Sequence, residues 1–125
     1  MRRVLIMDDD AVVTVVLERL LQRAGFETVS VENGVDALNF YKDAFISNPF
    51  SLVFIDLTVP GGLGGEETLR ELKRFDPNAK TVVFSGYSND PIITDFPLHG
   101  FDGVLKKPFT NSELVNVLRS VLGDE

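Results

Sequence analysis

Two kinds of apolar pattern alternate along this chain. Short continuous runs at Val4 to Met7 (VLIM), Leu52 to Ile55 (LVFI) and Thr81 to Phe84 (TVVF) read as strands buried on both faces. Glu27 to Val31 (ETVSV) and Gly103 to Leu105 (GVL) complete a set of five strand candidates. Between these runs the spacing becomes helical. Asp10 to Ala24 predicts a helix that stops at Gly25, and Asn33 can cap a second helix with Ala37, Leu38, Tyr41 and Phe45 on one face. A third runs from about Gly65 to Phe75 and ends at Asp76-Pro77. A fourth, between Asp90 and Leu98, meets Pro97 soon after Pro91, so it should be short or irregular. The fifth opens on Thr110-Asn111-Ser112-Glu113, a capping-box pattern, and places Leu114, Val117, Leu118 and Val121 at i, i+3, i+4 and i+7.

Strict alternation of strand and helix predicts an α/β fold: one parallel, doubly wound sheet with right-handed crossovers and helices on both faces. The 125 residues fit a single domain spanning 1–125, with no repeat or linker. In such sheets ligands bind beyond the carboxyl ends of the strands, so those ends are where chemistry is expected.

Several function classes fall away on composition. The formal charge of -7 disfavours direct nucleic-acid binding, which needs clustered Lys and Arg. With no cysteine and one histidine, His99, thiolate and multi-histidine metal sites are impossible. The lack of cysteine agrees with a reducing cytoplasm. No apolar run approaches the ~18 residues that span a bilayer, so no membrane insertion is expected and the expected location is cytoplasmic. The ten phenylalanines read mostly as core.

The strand ends carry a specific set of residues. The first strand delivers Asp8 and Asp9, the third Asp56, the fourth Ser85 and the fifth Lys107. Carboxylates about 4 Å apart repel by roughly 4 kcal/mol at the effective dielectric of a protein surface. A hard divalent cation offsets that, and oxygen ligands without soft donors suit Mg²⁺. Asp56, directly after a buried strand, can be held rigidly as a nucleophile on phosphorus, with Ser85 and Lys107 positioned for phosphoryl oxygens. Asp10 reads instead as a helix-capping acid, and Lys106 as the solvent-facing neighbour of Lys107. His99 reads as structural or exposed, since a Ser-His-Asp hydrolase would need a G-x-S-x-G elbow that the chain lacks. The glycine cluster Gly61-Gly62-Leu63-Gly64-Gly65 lacks the Lys and Ser/Thr of a P-loop and reads as a flexible connection.

Asp8-Asp9, Asp56-Leu-Thr-Val-Pro60, Ser85-Gly86 and Lys107-Pro108-Phe109, in this order, resemble the receiver domain of two-component response regulators over essentially the whole chain. That resemblance implies a flavodoxin-like fold with strand order 2-1-3-4-5. It implies Mg²⁺ held by Asp8, Asp9, Asp56 and the backbone carbonyl of Thr58, and transfer of a phosphoryl group to Asp56 from a phosphohistidine of a histidine kinase or phosphotransfer protein. Ser85 and Lys107 would convert phosphorylation into a shift of the loops and of the face formed by the fourth helix, fifth strand and last helix, for a downstream effector. It implies a switch that accepts and slowly loses its phosphoryl group, without an external turnover substrate. The stretches VPGGLGGEE and SGYSNDP…HGFDGVLKKPF look most like receivers attached to hybrid sensor kinases. Two departures stand out. The family usually carries Tyr or Phe three residues before the lysine, where this chain has Val104, and the glycine loop is one residue longer than the commonest form. An alternative is a small Mg²⁺-dependent phosphatase using the same aspartate; it usually has a second acid two residues on, where Thr58 stands. A third is an interaction module that has lost phosphorylation.

Overall fold

Residue alternation within the strands decides the architecture. In the computed structural model, which describes residues 2–57, 64–86 and 95–123, Leu5, Met7, Val53, Ile55 and Val83 point into one layer with Ala37, Leu38, Tyr41, Leu69 and Leu72. Val4, Ile6, Leu52, Phe54, Val82, Phe84 and Leu105 point into the other with Leu17, Leu21, Leu114, Leu118 and Val121. Successive residues of one strand thus serve opposite cores, which is why the strand runs are continuously apolar. Each fully buried Leu, Ile or Phe contributes roughly 1.5–3 kcal/mol relative to exposure. These two layers therefore outweigh the weak intrinsic preferences of short strands.

The elements in chain order are β1 (Arg3–Met7), α1 (Ala11–Arg23), β2 (Glu27–Val31), α2 (Gly34–Ala44), β3 (Phe50–Asp56), α3 (Gly65–Phe75), β4 (Thr81–Ser85), a 3-10 turn (Phe96–His99), β5 (Gly103–Lys106) and α4 (Asn111–Leu122). The sheet order is β2-β1-β3-β4-β5 and every pair is parallel, as expected. α2 and α3 cover one face, α1 and α4 the other.

Most expected helix ends are found. The Asp10 carboxylate accepts from the Val12 and Val13 N–H groups at the start of α1, and Asn33 accepts from Asp36 N–H at the start of α2. Thr110 and Glu113 make the complete reciprocal box at α4. Gly25 follows α1 with φ of 95°, a left-handed conformation that Gly adopts at little cost.

Some expectations need correction. Among the described residues there are four α-helices and one 3-10 turn, not five helices. The expected fourth helix falls largely on residues outside the described set, and its described end is only Phe96–His99, with Pro97 in its first turn. β3 is longer than its apolar run and includes Asp56, because pairing with β4 continues to the register Asp56↔Phe84. Phe45 lies just beyond α2 and is 40% exposed, as is Phe75, whose ring it meets at 5.0 Å. Phe45 keeps helical dihedrals and meets Tyr41 on the expected face, ring centroids 6.2 Å apart, but at the helix end it is covered only in part. Phe26, Phe50, Phe54, Phe84 and Phe101 are buried, whereas Phe40 joins Phe45 and Phe75 in the exposed set.

Candidate functional site

Parallel pairing puts the carboxyl ends of β1, β3, β4 and β5 on one edge. Met7 is registered with Ile55, Asp56 with Phe84, and Ser85 with Lys106, so Asp8, Asp56, Ser85 and Lys107 each stand within a residue of their strand's last paired position. Asp8 continues the ladder beyond β1, its N–H donating to Val31 O at 3.0 Å, and Lys107 N–H donates to Ser85 O at 2.9 Å. The Lys107-Pro108 peptide is cis.

The side chains converge from there. Lys107 Nζ donates to Asp8 Oδ2 at 2.8 Å and to Asp56 Oδ2 at 3.3 Å. One carboxylate oxygen from each of Asp8, Asp9 and Asp56 lies within 4.8 Å of the other two. Asp8 and Asp56 are buried and Asp9 is exposed, which gives the cluster one side open to solvent. Beside Asp8 and Asp9 a cavity of about 190 Å³ opens between Thr14 and Val15 of α1 and Val31 and Glu32 at the end of β2. Asp8 is further fixed by the Asp10 N–H, which donates to its Oδ1 at 2.9 Å. Asp10 therefore caps α1 with its side chain while its backbone holds Asp8.

The charges do not balance. Three carboxylates face one ammonium. Burial raises the Asp8 pKa; the Lys107 hydrogen bond and the Asp10 N–H oppose that, and the neighbouring Asp56 reinforces it. For Lys107, burial disfavours the charge, but the Asp8 hydrogen bond and the charges of Asp56 and Asp8 outweigh it, leaving the ammonium pKa raised. The Lys107 shift reflects the surrounding negative charge, which also favours an added cation, whereas Asp8 is raised first by its burial and only then by Asp56.

The donor set suits a hard divalent ion. Octahedral Mg²⁺ with ligands at about 2.0–2.1 Å spaces its oxygens by roughly 3–4 Å, with water completing the shell. Carboxylate oxygens already within 4.8 Å of one another need only small side-chain adjustments to meet that spacing. No nitrogen or sulfur donor belongs to the cluster, which argues against a soft metal.

The remaining expected residues are placed as follows. Ser85 is fully buried at the end of β4, one residue past the Asp56↔Phe84 pair. Thr58 lies outside the described residues, as does most of the glycine loop. Lys106 is exposed and His99 is exposed, as expected. Val104 is half-buried in β5 and packs against the layer shared with α2 and α3.

Sequence reasoning passed over two residues. Phe84 places its ring centroid 4.4 Å from Lys107 Nζ, a contact whose only sequence signal is its place before Ser85. Gly65, the first residue of α3, approaches the Asp56 backbone so closely that a Cβ would stand 2.8 Å from Asp56 O. The sequence marks Gly65 as the end of the glycine run and the start of a helix, and neither role signals this approach.

Residues 4–119 match the response regulator receiver domain as a family. The chain belongs to that family. Among related proteins, the chemotaxis protein CheY of Thermotoga maritima is 31% identical over 121 residues, which cover 96% of this chain and 97% of that one. The sensor kinase CckA of Brucella abortus is 29% identical over 119 residues, 95% of this receiver domain but 12% of that kinase. The receiver fold thus recurs both in a protein of this size and as a small part of a much longer one. The response regulator protein TrrA of Thermotoga maritima, crystallised with Mg²⁺-BeF, superposes with a TM-score of 0.79 at 29% identity, covering 95% of this chain and 97% of that chain. Among the described residues of this receiver domain, no helix is long and apolar enough to cross a membrane.

Proposed function

We propose that this receiver domain accepts a phosphoryl group on Asp56 from a phosphohistidine of a histidine kinase or phosphotransfer protein, in an Mg²⁺-dependent reaction. The observation that carries the reading is the convergence of Asp8, Asp9 and Asp56 on one point with Lys107 Nζ hydrogen-bonded to two of them. An Asp56 carboxylate oxygen forms the new bond to phosphorus as the phosphorus–nitrogen bond of the donor breaks, and the imidazole leaves. Lys107, already 3.3 Å from Asp56, is placed to bind a phosphoryl oxygen as a point charge. Ser85, on the neighbouring strand end, is assigned to another oxygen. Asp8, Asp9, Asp56 and the Thr58 carbonyl are the proposed holders of Mg²⁺, which would neutralise charge on carboxylate and phosphoryl group alike. Rigid strand ends supply the positioning on which phosphoryl transfer depends.

The crystallisation of TrrA with Mg²⁺-BeF supports extending that chemistry to this chain, since beryllofluoride imitates a tetrahedral phosphoryl group. The output is a change in a partner-binding surface, and the domain acts as a switch that slowly loses its own phosphoryl group.

The test uses acetyl phosphate and Mg²⁺ with intact-mass detection. Wild-type protein should acquire one hydroxylamine-labile phosphoryl adduct and Asp56→Asn none. An adduct of equal stoichiometry on Asp56→Asn would remove the assignment. Sustained turnover of a small phosphomonoester in the same assay would replace the switch with an external-substrate phosphatase.

A further inference from the structure

The Lys107 ammonium has a third neighbour besides its two carboxylates. Its Nζ lies 4.4 Å from the centroid of the Phe84 ring, and Phe84 is completely buried. The face of an aromatic ring carries partial negative charge, and its attraction for a cation grows when water is excluded. An aliphatic residue could be buried at this position but would offer the ammonium no such face.

The ring is itself held by two T-shaped aromatic contacts. Phe54, wholly buried in β3, meets it at 6.0 Å and 70°, and Phe109 meets it at 5.8 Å and 62°. Phe54 is a fixed wall. Phe109, by contrast, is partly exposed and immediately precedes Thr110, the capping residue of α4. A line of contacts therefore runs from the acidic cluster through Lys107, Phe84 and Phe109 to the start of α4. It lies in the layer shared with α1 and α4. Val104, which has no ring, packs in the opposite layer.

We propose that Phe84 is a positioning residue: its ring face holds the Lys107 ammonium over the acidic cluster, and its edge contact with Phe109 passes a change in that ammonium's partners to the segment between β5 and α4. The second half rests on Asp56 being the phosphoacceptor. New oxygens on Asp56 compete with Asp8 for the ammonium, and any displacement of Nζ changes its distance from the ring.

The test replaces Phe84 with mono-, di- and trifluorophenylalanine, a near-isosteric series that progressively removes the negative ring face, and with Leu. Each protein is titrated with beryllofluoride in Mg²⁺ while NMR follows the Lys107 ε-methylene and the Thr110 and Glu113 amides. Affinity should fall stepwise along the series, reaching about three- to tenfold for the trifluoro ring and for Phe84→Leu. Phe109→Leu should keep the affinity and lose the response of the two amides. In the metal-free protein the Lys107 ε-methylene should show an upfield ring-current shift that Phe84→Leu abolishes, a readout independent of whether Asp56 takes beryllofluoride. A wild-type protein that ignores beryllofluoride would therefore defeat the phosphoacceptor reading and the relay, leaving the ring-current shift to decide the placement. A flat fluorine series with an unshifted ε-methylene would overturn the proposal and leave Phe84 as core filling.

Discussion

Lys107 Nζ reaches Asp8 Oδ2 at 2.8 Å across 99 positions of sequence, and the Asp8 side chain at the other end of that bond is fully buried. Breaking a buried pair by removing one partner typically costs about 3–5 kcal/mol, because the remaining charge has neither water nor a counter-ion. Lys107→Ala should therefore lower metal-free stability by about 3 kcal/mol, a large share of the total for a domain of this size. Mg²⁺ should recover part of the loss by giving the carboxylates another cation. Urea unfolding with and without Mg²⁺ measures both, and a loss unaffected by Mg²⁺ would argue against an ion at this cluster.

Asp9 shares the cluster from its exposed side, so its charge adds repulsion without a buried hydrogen bond to lose. Asp9→Asn should raise the melting temperature of the metal-free protein and weaken the stabilisation by Mg²⁺. For wild type that stabilisation should reach roughly 2.7 kcal/mol when Mg²⁺ is a hundredfold above its Kd. Thermal melts across an Mg²⁺ series make the comparison. An Asp9→Asn protein with the wild-type Mg²⁺ response would remove Asp9 from the site.

The raised pKa of Asp8 has a defined sign in stability. The folded chain holds that proton more tightly than the unfolded one, whose carboxyl titrates near 3.8. The contribution is fully present below that pH and is lost as pH rises through the higher folded value. The stability of wild type relative to Asp8→Asn should accordingly fall as pH rises above the unfolded value of 3.8 without metal, and Mg²⁺ should flatten the dependence. Paired denaturant titrations over that range test it, and a difference that grows with pH would contradict the electrostatic account.

The positions of Asp8, Asp9, Asp56, Ser85 and Lys107 were legible because each lies within two residues of the end of an apolar strand run, and parallel pairing carries strand ends to one edge. The caps at Asp10, Asn33 and Thr110 were legible for a similar reason, being local hydrogen-bonding patterns. Phe84 was different. Its alternation with Val83 fixed only the face it serves, while its meeting with Lys107 depends on the register of β4 against β5 and on two side-chain rotamers. Gly65 was hidden because close approach to Asp56 O is a tertiary fact, and a glycine in a glycine-rich run carries no mark of it. Periodicity put Phe45 on the Tyr41 face of α2, where it lies, but does not say how much of a helix end the rest of the fold covers.

The Gly65 contact predicts a linked loss of stability and site geometry. A Cβ there would stand 2.8 Å from Asp56 O and 3.0 Å from Leu57 Cα, both backbone atoms that cannot swing aside. Gly65→Ala should cost about 1–3 kcal/mol as α3 is pushed from the end of β3, despite the better helix propensity of Ala. Beryllofluoride affinity should fall with it, since Asp56 ends that strand. A stabilised Gly65→Ala protein would show that α3 shifts freely at this point.

Tyr41 supplies a test far from the acidic cluster. Its hydroxyl donates to Asp76 Oδ2 at 2.6 Å, tying α2 to the end of α3, and the ring is buried. Burial first, then the hydrogen bond and charge of Asp76, push the phenol pKa well above its ordinary 10.0. Tyr41→Phe should lower stability by about 1.5–3 kcal/mol near neutral pH, the usual range for a hydrogen bond to a charged group. The unfolded phenol begins to ionise near pH 10.0 while the folded one stays protonated, so the Tyr41 contribution is complete below that pH and declines above it. The stability gap between wild type and Tyr41→Phe should therefore narrow as pH rises beyond 10.0, and the tyrosinate absorbance of Tyr41 should appear only as the chain unfolds. A phenol that titrates near 10.0 in the folded protein would mean that the bond to Asp76 is not held in solution.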